Sequence, residues 1–177
     1  MKIVLTGFMT AGKTTTAKII AEKRNMEFYD SDKVIEAQEK MRVKEIFNKK
    51  GEKYFRKIEK EVINELLNSD KDLVLAPGGG AILNEEIRNI ILEKSEAFCL
   101  NVSAKEVLKR NKKDEIIRPL LEVDNPLDEV RSLLKERESY YSEIPQHIDS
   151  DKYSPEELAD LILSQLPDQE LNIEIKA

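Results

Sequence analysis

Short apolar runs alternate along the chain with longer segments in which apolar residues recur every three or four positions. This alternation predicts a parallel sheet with crossover helices, because strands buried on both faces are continuously apolar, whereas amphipathic helices repeat about every 3.6 residues. The candidate strands are residues 3–5, 26–29, 73–76, 97–102 and, more weakly, 147–148. Such a pattern predicts an open α/β sheet, whose ligands bind beyond the carboxyl ends of the strands.

Helix signals occupy the segments between these runs. An apolar stripe with steps of three and four residues predicts a helix packed on the core; it consists of Phe55, Ile58, Val62 and Leu66. Capping-box spacings, which predict helix starts, occur twice: Ser103 with Glu106, and Ser154 with Glu157. Asn125 followed by Pro126 predicts a further helix that runs toward Tyr141.

Composition and charge exclude several classes of function. The 177 residues carry a net charge of −6, and this acidic balance argues against a nucleic-acid surface. No apolar run approaches the length of a membrane span, and the first ten residues lack a basic region and an apolar core, so we expect a cytoplasmic protein without membrane contact. A single cysteine, Cys99, and a single histidine, His147, exclude an internal disulfide, a thiolate zinc cluster and a multi-histidine metal site. We expect both residues to be structural.

The chain has no linker and no internal repeat, which predicts one domain over residues 1–168. We expect it to act as a monomer. Residues 111–118 are polar and lie between helices, which fits a mobile segment or a solvated connection. Residues 171–175 alternate like a short edge strand, but their place at the terminus favours a poorly ordered tail over residues 169–177.

The strongest chemical signal is the run G-F-M-T-A-G-K-T from Gly7 to Thr14. It fits the phosphate-loop pattern G-x-x-x-x-G-K-[ST], with a predicted strand before it and a predicted helix after it. The glycines let backbone N–H groups surround phosphate oxygens, and the helix N-terminus adds a favourable dipole. Lys13 would bring a positive charge to the β- and γ-phosphates, and the Thr14 hydroxyl would ligate Mg²⁺. We therefore expect the chain to bind a nucleoside triphosphate.

Two carboxylates, Asp30 and Asp32, follow the second candidate strand with Ser31 between them. Strand alternation would direct both toward the site that the phosphate loop opens onto. One could hold a metal-bound water while the other accepts a proton from an attacking hydroxyl. A solvated turn with a helix cap is the alternative, and the position at the carboxyl end of a strand favours function. An EF-hand is excluded because no glycine or terminal glutamate follows at the required offsets.

The third strand ends in Pro77 and a glycine loop formed by Gly78, Gly79 and Gly80. Such a backbone can approach a ligand closely and offer it N–H groups, with a plain turn as the alternative. Three arginines are candidates that would each by default be surface residues: Arg56, Arg118 and Arg137.

A match to the guanine-reading pattern N-K-x-D at residues 111–114 is treated as coincidence. In GTPases this motif ends an apolar strand, whereas here it follows the helical segment A-K-E-V-L-K-R. The chain also lacks the D-x-x-G switch motif.

Taken together and in this order, the motifs resemble those of the shikimate kinase family over nearly the full chain. The matching segments are G-F-M-x-x-G-K-T, F-Y-D-S-D-K-x-I-E, I-F-N-K-K-G-E-K-Y-F-R-K-I-E, G-G-G-A, R-P-L-L and R-x-x-x-Y. The resemblance implies a P-loop, nucleoside-monophosphate-kinase-like α/β fold: a five-stranded parallel sheet with helices on both faces, a substrate-binding segment at about residues 32–60 and a lid at about residues 111–124. It also implies that ATP and Mg²⁺ are used to phosphorylate the 3-hydroxyl of shikimate in aromatic amino-acid biosynthesis.

The resemblance further implies a role for each matching residue. ATP would be bound by Thr10, Ala11, Gly12, Lys13, Thr14, Thr15, Arg110 near adenine and Arg118 from the lid. Shikimate would be bound by Asp32, Gly78, Gly79 and Gly80, and its carboxylate by Arg56 and Arg137. Magnesium would be held by Thr14 and, through water, by Asp30. The catalytic residues would be Lys13, Asp32 as base or orienting group, and Arg118, while Glu59 would orient Arg56.

The chain departs from the family pattern at two positions and in its lid, which is lysine-rich and acidic (K-K-D-E) where glycine and small polar residues are expected. Two other functions stay open. Thr10 stands where many members have glycine, and Tyr153 where some have an arginine near adenine. A gluconate kinase or other small-metabolite kinase would share the phosphate loop, but not the D-S-D, F-R and G-G-G series together. A non-catalytic nucleotide-binding regulator is the other alternative, and four intact residues weigh against it: Lys13, Thr14, Asp32 and Arg118.

Overall fold

A five-stranded parallel sheet forms the centre of the protein, as described by a computed structural model for residues 1–112 and 123–167. The strands are β1 (Lys2–Gly7), β2 (Glu27–Asp30), β3 (Leu73–Ala76), β4 (Glu96–Asn101) and β5 (Gln146–Asp149). They lie in the order β2-β3-β1-β4-β5. All five predicted strands are therefore confirmed, including the weak one at His147.

The central strands are covered on both faces. Every residue of β3 is buried, as are the last five residues of β1, so successive side chains on opposite faces both lie under helices. The helices are α1 (Lys13–Arg24), α2 (Ser31–Glu39), α3 (Val43–Lys50), α4 (Glu52–Asn68), α5 (Glu85–Lys94), α6 (Ala104–Asn111), α7 (Pro126–Tyr141) and α8 (Pro155–Gln165). A short 3₁₀ turn, Ala81–Leu83, follows the glycine loop.

Two hydrophobic clusters hold these elements together. The larger one surrounds the sheet. The smaller one joins α2, α3 and α4 and contains three residues of the predicted stripe, Phe55, Ile58 and Val62. Leu66 is only partly buried and contacts both clusters. The segment between β2 and β3 thus has a small core of its own beside the sheet.

The two predicted capping boxes have different outcomes. At α8, the Ser154 N–H donates to Glu157 Oε2 at 2.8 Å and the Glu157 N–H donates to Ser154 Oγ at 3.3 Å, so both halves form. At α6 only the Ser103 hydroxyl caps the helix. The Ser103 N–H bonds instead to the carboxylate of Asp151, and Glu106 pairs with basic residues one turn later.

Some predictions fall on residues outside the described part of the chain. They concern most of the predicted lid, because residues 113–122 are not described, and the predicted tail over residues 169–177. Within the described ranges, no helix is both long enough and apolar enough to cross a membrane.

Candidate active site

The phosphate loop is the turn between β1, the middle strand of the sheet, and α1. Gly12 precedes α1 with a φ of +95°, which glycine adopts without a side-chain clash. Thr10 has a φ of +60°, which is unusual for a β-branched residue and which glycine adopts at less cost. Lys13 Nζ donates to the carbonyl oxygens of Gly7 at 2.9 Å and Phe8 at 3.0 Å. Its charge and the N-terminus of α1, which has no acidic residue in its first turn, both favour phosphate.

Two more residues of the predicted phosphate loop, Ala11 and Thr15, differ in their burial. Ala11 is buried, and its N–H donates to the carbonyl oxygen of Phe8 at 3.2 Å. Thr15 is exposed in the first turn of α1, next to Thr14. The predicted contacts of both with nucleotide stay predictions.

The two predicted metal ligands are already in contact. Thr14 Oγ1 donates to Asp30 Oδ2 at 2.9 Å, while Asp30 Oδ1 caps α2 by accepting the Lys33 N–H at 3.2 Å. A hydroxyl and a carboxylate are hard oxygen donors that fit Mg²⁺. Among the described residues no cluster of three or more His, Cys, Asp or Glu side chains could hold a metal ion. Mg²⁺ at this place would therefore take its other ligands from phosphate and water, as it commonly does.

Asp32 lies in the first turn of α2 rather than in β2. The expectation from strand alternation is wrong at this point, because the helix begins at Ser31. Burial raises the pKa of Asp32 to about 6, the negative charge of Asp30 adds to the rise, and the positive charges of Lys13 and Arg56 oppose it. Its Oδ1 atom is buried and accepts no hydrogen bond from the described residues.

Arg56 and Glu59 form an ion pair one turn apart on α4. Arg56 Nη1 donates to Glu59 Oε2 at 2.7 Å, and Arg56 Nε and Nη2 each donate to Glu52 Oε1 at 3.3 Å. Glu59 is fully buried. Burial raises its pKa to about 7 against the opposing effect of Arg56. Its second oxygen, Oε1, is buried and has no hydrogen-bond partner among the described residues. The ion pair is the contact expected of a residue that orients Arg56.

The glycine loop passes directly beside these charged groups. A Cβ atom on Gly78 would lie 2.7 Å from Asp32 Oδ1 and 3.0 Å from Glu59 Oε1, and one on Gly80 would lie 2.7 Å from Arg56 Nη2. The sequence predicted a close approach of this backbone to a ligand. The structure shows that the glycines also leave room for the protein's own carboxylates and guanidinium, so two unpaired carboxylate oxygens face one position above Gly78.

Helix α7 brings a second guanidinium to the same loop. Arg137 Nη1 and the Tyr141 hydroxyl donate to the carbonyl oxygen of Gly79 at 3.5 and 3.2 Å. The Arg137 guanidinium carbon lies 5.5 Å from the ring centre of Phe8. Its Nε is buried without a hydrogen-bond partner in the described ranges. Arg56 and Arg137 thus border adjacent residues of the glycine loop, beside the phosphate loop.

Sequence analysis assigned no role to two supporting residues of this site: Tyr141, which it matched only as part of R-x-x-x-Y, and Ser31. Burial raises the pKa of Tyr141 to about 12, so its hydroxyl remains a donor to Gly79. Its signal was the four-residue spacing from Arg137, which places both on one face of α7. Ser31 is fully buried, and its Oγ accepts the Gly78 N–H at 3.0 Å. This contact joins residues 47 apart in the chain and has no local sequence signal.

Arg110 lies beside the phosphate loop with its guanidinium already engaged. Nη1 donates to the Thr10 carbonyl oxygen at 3.1 Å, and Nη2 donates to the Ser150 carbonyl oxygen at 2.7 Å. Nε donates to Glu106 at 3.1 Å. Arg110 therefore holds the loop against the end of β5, and its stacking near adenine stays a prediction. Arg118 lies outside the described residues.

The two side chains expected to be structural, Cys99 and His147, both contact Asn101. Asn101 Oδ1 is 3.5 Å from Cys99 Sγ and 3.2 Å from His147 Nδ1. Burial raises the pKa of the Cys99 thiol to about 11, which keeps it in the unreactive thiol form. Asn111 is the last residue of α6 and does not end a strand, which agrees with rejecting the guanine-reading motif.

Sequence comparison identifies the family. The model of the shikimate kinase family matches residues 9–167. A shikimate kinase of Sulfurihydrogenibium sp. strain YO3AOP1 is 40% identical over 164 residues, which cover 93% of this chain and 96% of that protein. One from Thermoanaerobacter pseudethanolicus is 41% identical over 162 residues, which cover 91% and 93%. The chain belongs to the shikimate kinase family.

Structural comparison agrees with this assignment. A solved structure of shikimate kinase from Acinetobacter baumannii in complex with shikimate has a TM-score of 0.85 and 39% identity, and the match covers 92% of this chain and 90% of that chain. The P-loop, nucleoside-monophosphate-kinase-like fold predicted from the sequence is therefore confirmed.

Proposed function

We propose that the protein transfers the γ-phosphoryl group of ATP to the 3-hydroxyl of shikimate, giving shikimate 3-phosphate and ADP, with Mg²⁺ as the metal ion. Membership of the shikimate kinase family supports the reaction. The observation that carries the substrate is local: two guanidinium groups and two unpaired carboxylate oxygens converge on the glycine loop beside the phosphate loop. This arrangement suits a small molecule that bears both a carboxylate and hydroxyl groups.

The nucleotide side of the site follows from the phosphate loop. Lys13 and the N-terminus of α1 would hold the β- and γ-phosphates, because both are positive and both face the loop. Thr14 and, through water, Asp30 would hold Mg²⁺, which when bound neutralises charge on the phosphate oxygens. Arg110 would contribute near adenine, and Arg118 would reach the phosphates from the lid.

The shikimate side follows from the two arginines. Arg56 and Arg137 would bind the carboxylate, since a planar guanidinium matches a carboxylate geometrically and the chain is acidic overall. Asp32 Oδ1 would accept the hydrogen bond of the reacting hydroxyl. With a pKa of about 6, Asp32 is largely ionised near neutral pH and can accept the proton as the phosphoryl group transfers. Phosphoryl transfer depends mainly on positioning and charge neutralisation, which these residues provide.

We further propose a cytoplasmic monomer that acts on small molecules and binds neither nucleic acid nor membrane. The acidic composition supports the part of this proposal that concerns nucleic acid. The contacts of Lys13 and Thr14 and the raised pKa of Asp32 support phosphoryl transfer over a purely regulatory role. Membership of the shikimate kinase family supports shikimate over gluconate as the acceptor.

The test combines product identification with the Asp32→Asn variant. Phosphorus NMR of the product formed from Mg-ATP and shikimate should show a phosphate ester at the 3-hydroxyl. Asp32→Asn should lose turnover by at least about 100-fold while it still binds ATP, because only the proton acceptor is removed. Glu61→Gln, an exposed carboxylate on α4, is the matched control and should keep wild-type turnover. Phosphate at another hydroxyl, or full turnover by Asp32→Asn, would contradict the proposal.

A further inference from the structure

One buried arginine outside the candidate site links two parts of it. Arg88 lies in α5 with its side chain only 9% exposed. Its Nε donates to Glu143 Oε2 at 2.7 Å, and its Nη1 donates to the carbonyl oxygen of Ile82 at 2.9 Å. Its guanidinium carbon lies 4.9 Å from the ring centre of Tyr140. These three contacts use the planar, forked shape of guanidinium, which a lysine ammonium does not reproduce.

The partners of Arg88 belong to the two segments that form the carboxylate end of the site. Ile82 lies in the 3₁₀ turn that follows the glycine loop. Tyr140 and Glu143 lie at the end of α7 and just beyond it. The same two segments meet a second time at Gly79, whose carbonyl oxygen accepts from Arg137 and Tyr141. The Arg88 contacts therefore lie behind the place where α7 meets the glycine loop.

We propose that Arg88 is a positioning residue that fixes the end of α7 relative to the glycine loop, so that Arg137 reaches the substrate carboxylate. The inference rests on the proposed function. Arg88 does not touch the substrate position. It holds Ile82 on one side and Glu143 with Tyr140 on the other, so its loss releases α7 from the loop. The contact of Arg137 with Gly79 is long, at 3.5 Å, and depends on the placement of the helix.

Arg88→Lys tests the proposal through the kinetic constants of the two substrates. The KM for shikimate should rise about 10- to 100-fold, because a displacement of about 1 Å in a binding group can cost that much, while the KM for ATP stays within about twofold of wild type. Glu143→Gln, which keeps an acceptor oxygen for Arg88 Nε, should raise the shikimate KM less, by about three- to tenfold. Lys60→Met is the control: it removes an exposed ion pair between α4 and Glu86, which lies on α5 with Arg88, and should change neither constant.

A double variant separates positioning from a general loss of stability. If Arg88 acts through Arg137, the effects of Arg88→Lys and Arg137→Lys on the shikimate KM should combine to less than their product. Thermal unfolding of each variant checks that the kinetic constants are measured on folded protein. If Arg88→Lys does not fold, the shikimate KM of Glu143→Gln tests the proposal instead. An unchanged shikimate KM, an equal rise in the KM for ATP, or effects that multiply fully would overturn the role of Arg88. Failure of the wild type to use shikimate would overturn the proposed function instead.

Discussion

The glycine loop shows that the site needs residues without a side chain at particular positions. Gly78 and Gly80 have ordinary negative or extended backbone angles, so conformational freedom does not explain them. The need for space explains these glycines, because Cβ atoms at the two positions would lie 3.0 Å or less from atoms of Asp32, Glu59 and Arg56. The sequence predicted a functional role for the triple glycine, and this role stays a prediction; the charged side chains beside it could not be read from local sequence.

Gly80→Ala should therefore impair shikimate binding selectively. The new methyl group would displace the flexible end of Arg56, which the structure places 2.7 Å from it, so the fold should persist while the carboxylate contact weakens. We expect the shikimate KM to rise at least about tenfold with little change in the KM for ATP. Gly79→Ala is the comparison, since its methyl group would find only contacts of 3.4 Å or more. Equal effects of the two substitutions on the shikimate KM would contradict this explanation.

Glu59 gives the protein a specific dependence of stability on pH. Its pKa is raised by burial from 4.5 to about 7, so between these values the folded protein holds a proton that the unfolded chain has released. The contribution of Glu59 to the free energy of unfolding should thus fall as pH rises from about 4.5 to about 7, and level off above. Asp32, with a pKa raised to about 6, adds a change of the same sign.

Denaturant unfolding of the wild type and Glu59→Gln at pH 5 and pH 8 measures this contribution. Glutamine does not titrate, so the stability of the wild type relative to the variant should be lower at pH 8 than at pH 5. Glu61→Gln, an exposed carboxylate two residues further along α4, serves as the control. If the difference between wild type and Glu59→Gln were the same at both pH values, the buried ionisation would be disproved.

At the scale of elements, sequence patterns predicted the strands and several helix starts for identifiable reasons. Apolar runs gave the five strands, and the Ser154–Glu157 spacing gave α8 with both halves of its capping box. The half-formed box at α6 was not predictable, because its competitor Asp151 lies 48 residues away. The start of α2 at Ser31 was foreseen only as the helix-cap alternative, because the cap, Asp30, is also the last residue of β2.

Ser154→Ala should destabilise the protein through α8. It removes the hydroxyl that caps this helix, which should cost about 1 kcal/mol of unfolding free energy. Ser164→Ala is the matched control, because this exposed serine only donates to the Leu161 carbonyl within the helix and its loss should cost less than about 0.5 kcal/mol. Chemical denaturation of both variants checks the difference. Equal costs would show that the cap contributes nothing beyond a surface serine.

At the scale of the whole molecule, strand order decides which residues meet. The order β2-β3-β1-β4-β5 places β1, and with it the phosphate loop, in the middle of the sheet, with the glycine loop after β3 beside it. Apolar periodicity predicts strands but not their order, so the meeting of Asp32, Arg56 and Arg137 at this edge came from the family resemblance and not from the pattern. The role of Arg88 could not be predicted either, because its partners lie on other elements of the fold.

The central claim is that shikimate accepts a phosphoryl group from ATP at this edge of the sheet. The most direct test is the initial rate of ADP release from purified protein with Mg-ATP, with shikimate, with gluconate and without an acceptor, beside a reaction in which GTP replaces ATP. We predict ADP release that depends on shikimate, is absent with gluconate and is reduced when GTP is the donor. ADP release that is the same with and without shikimate, or that depends on gluconate, would contradict the account.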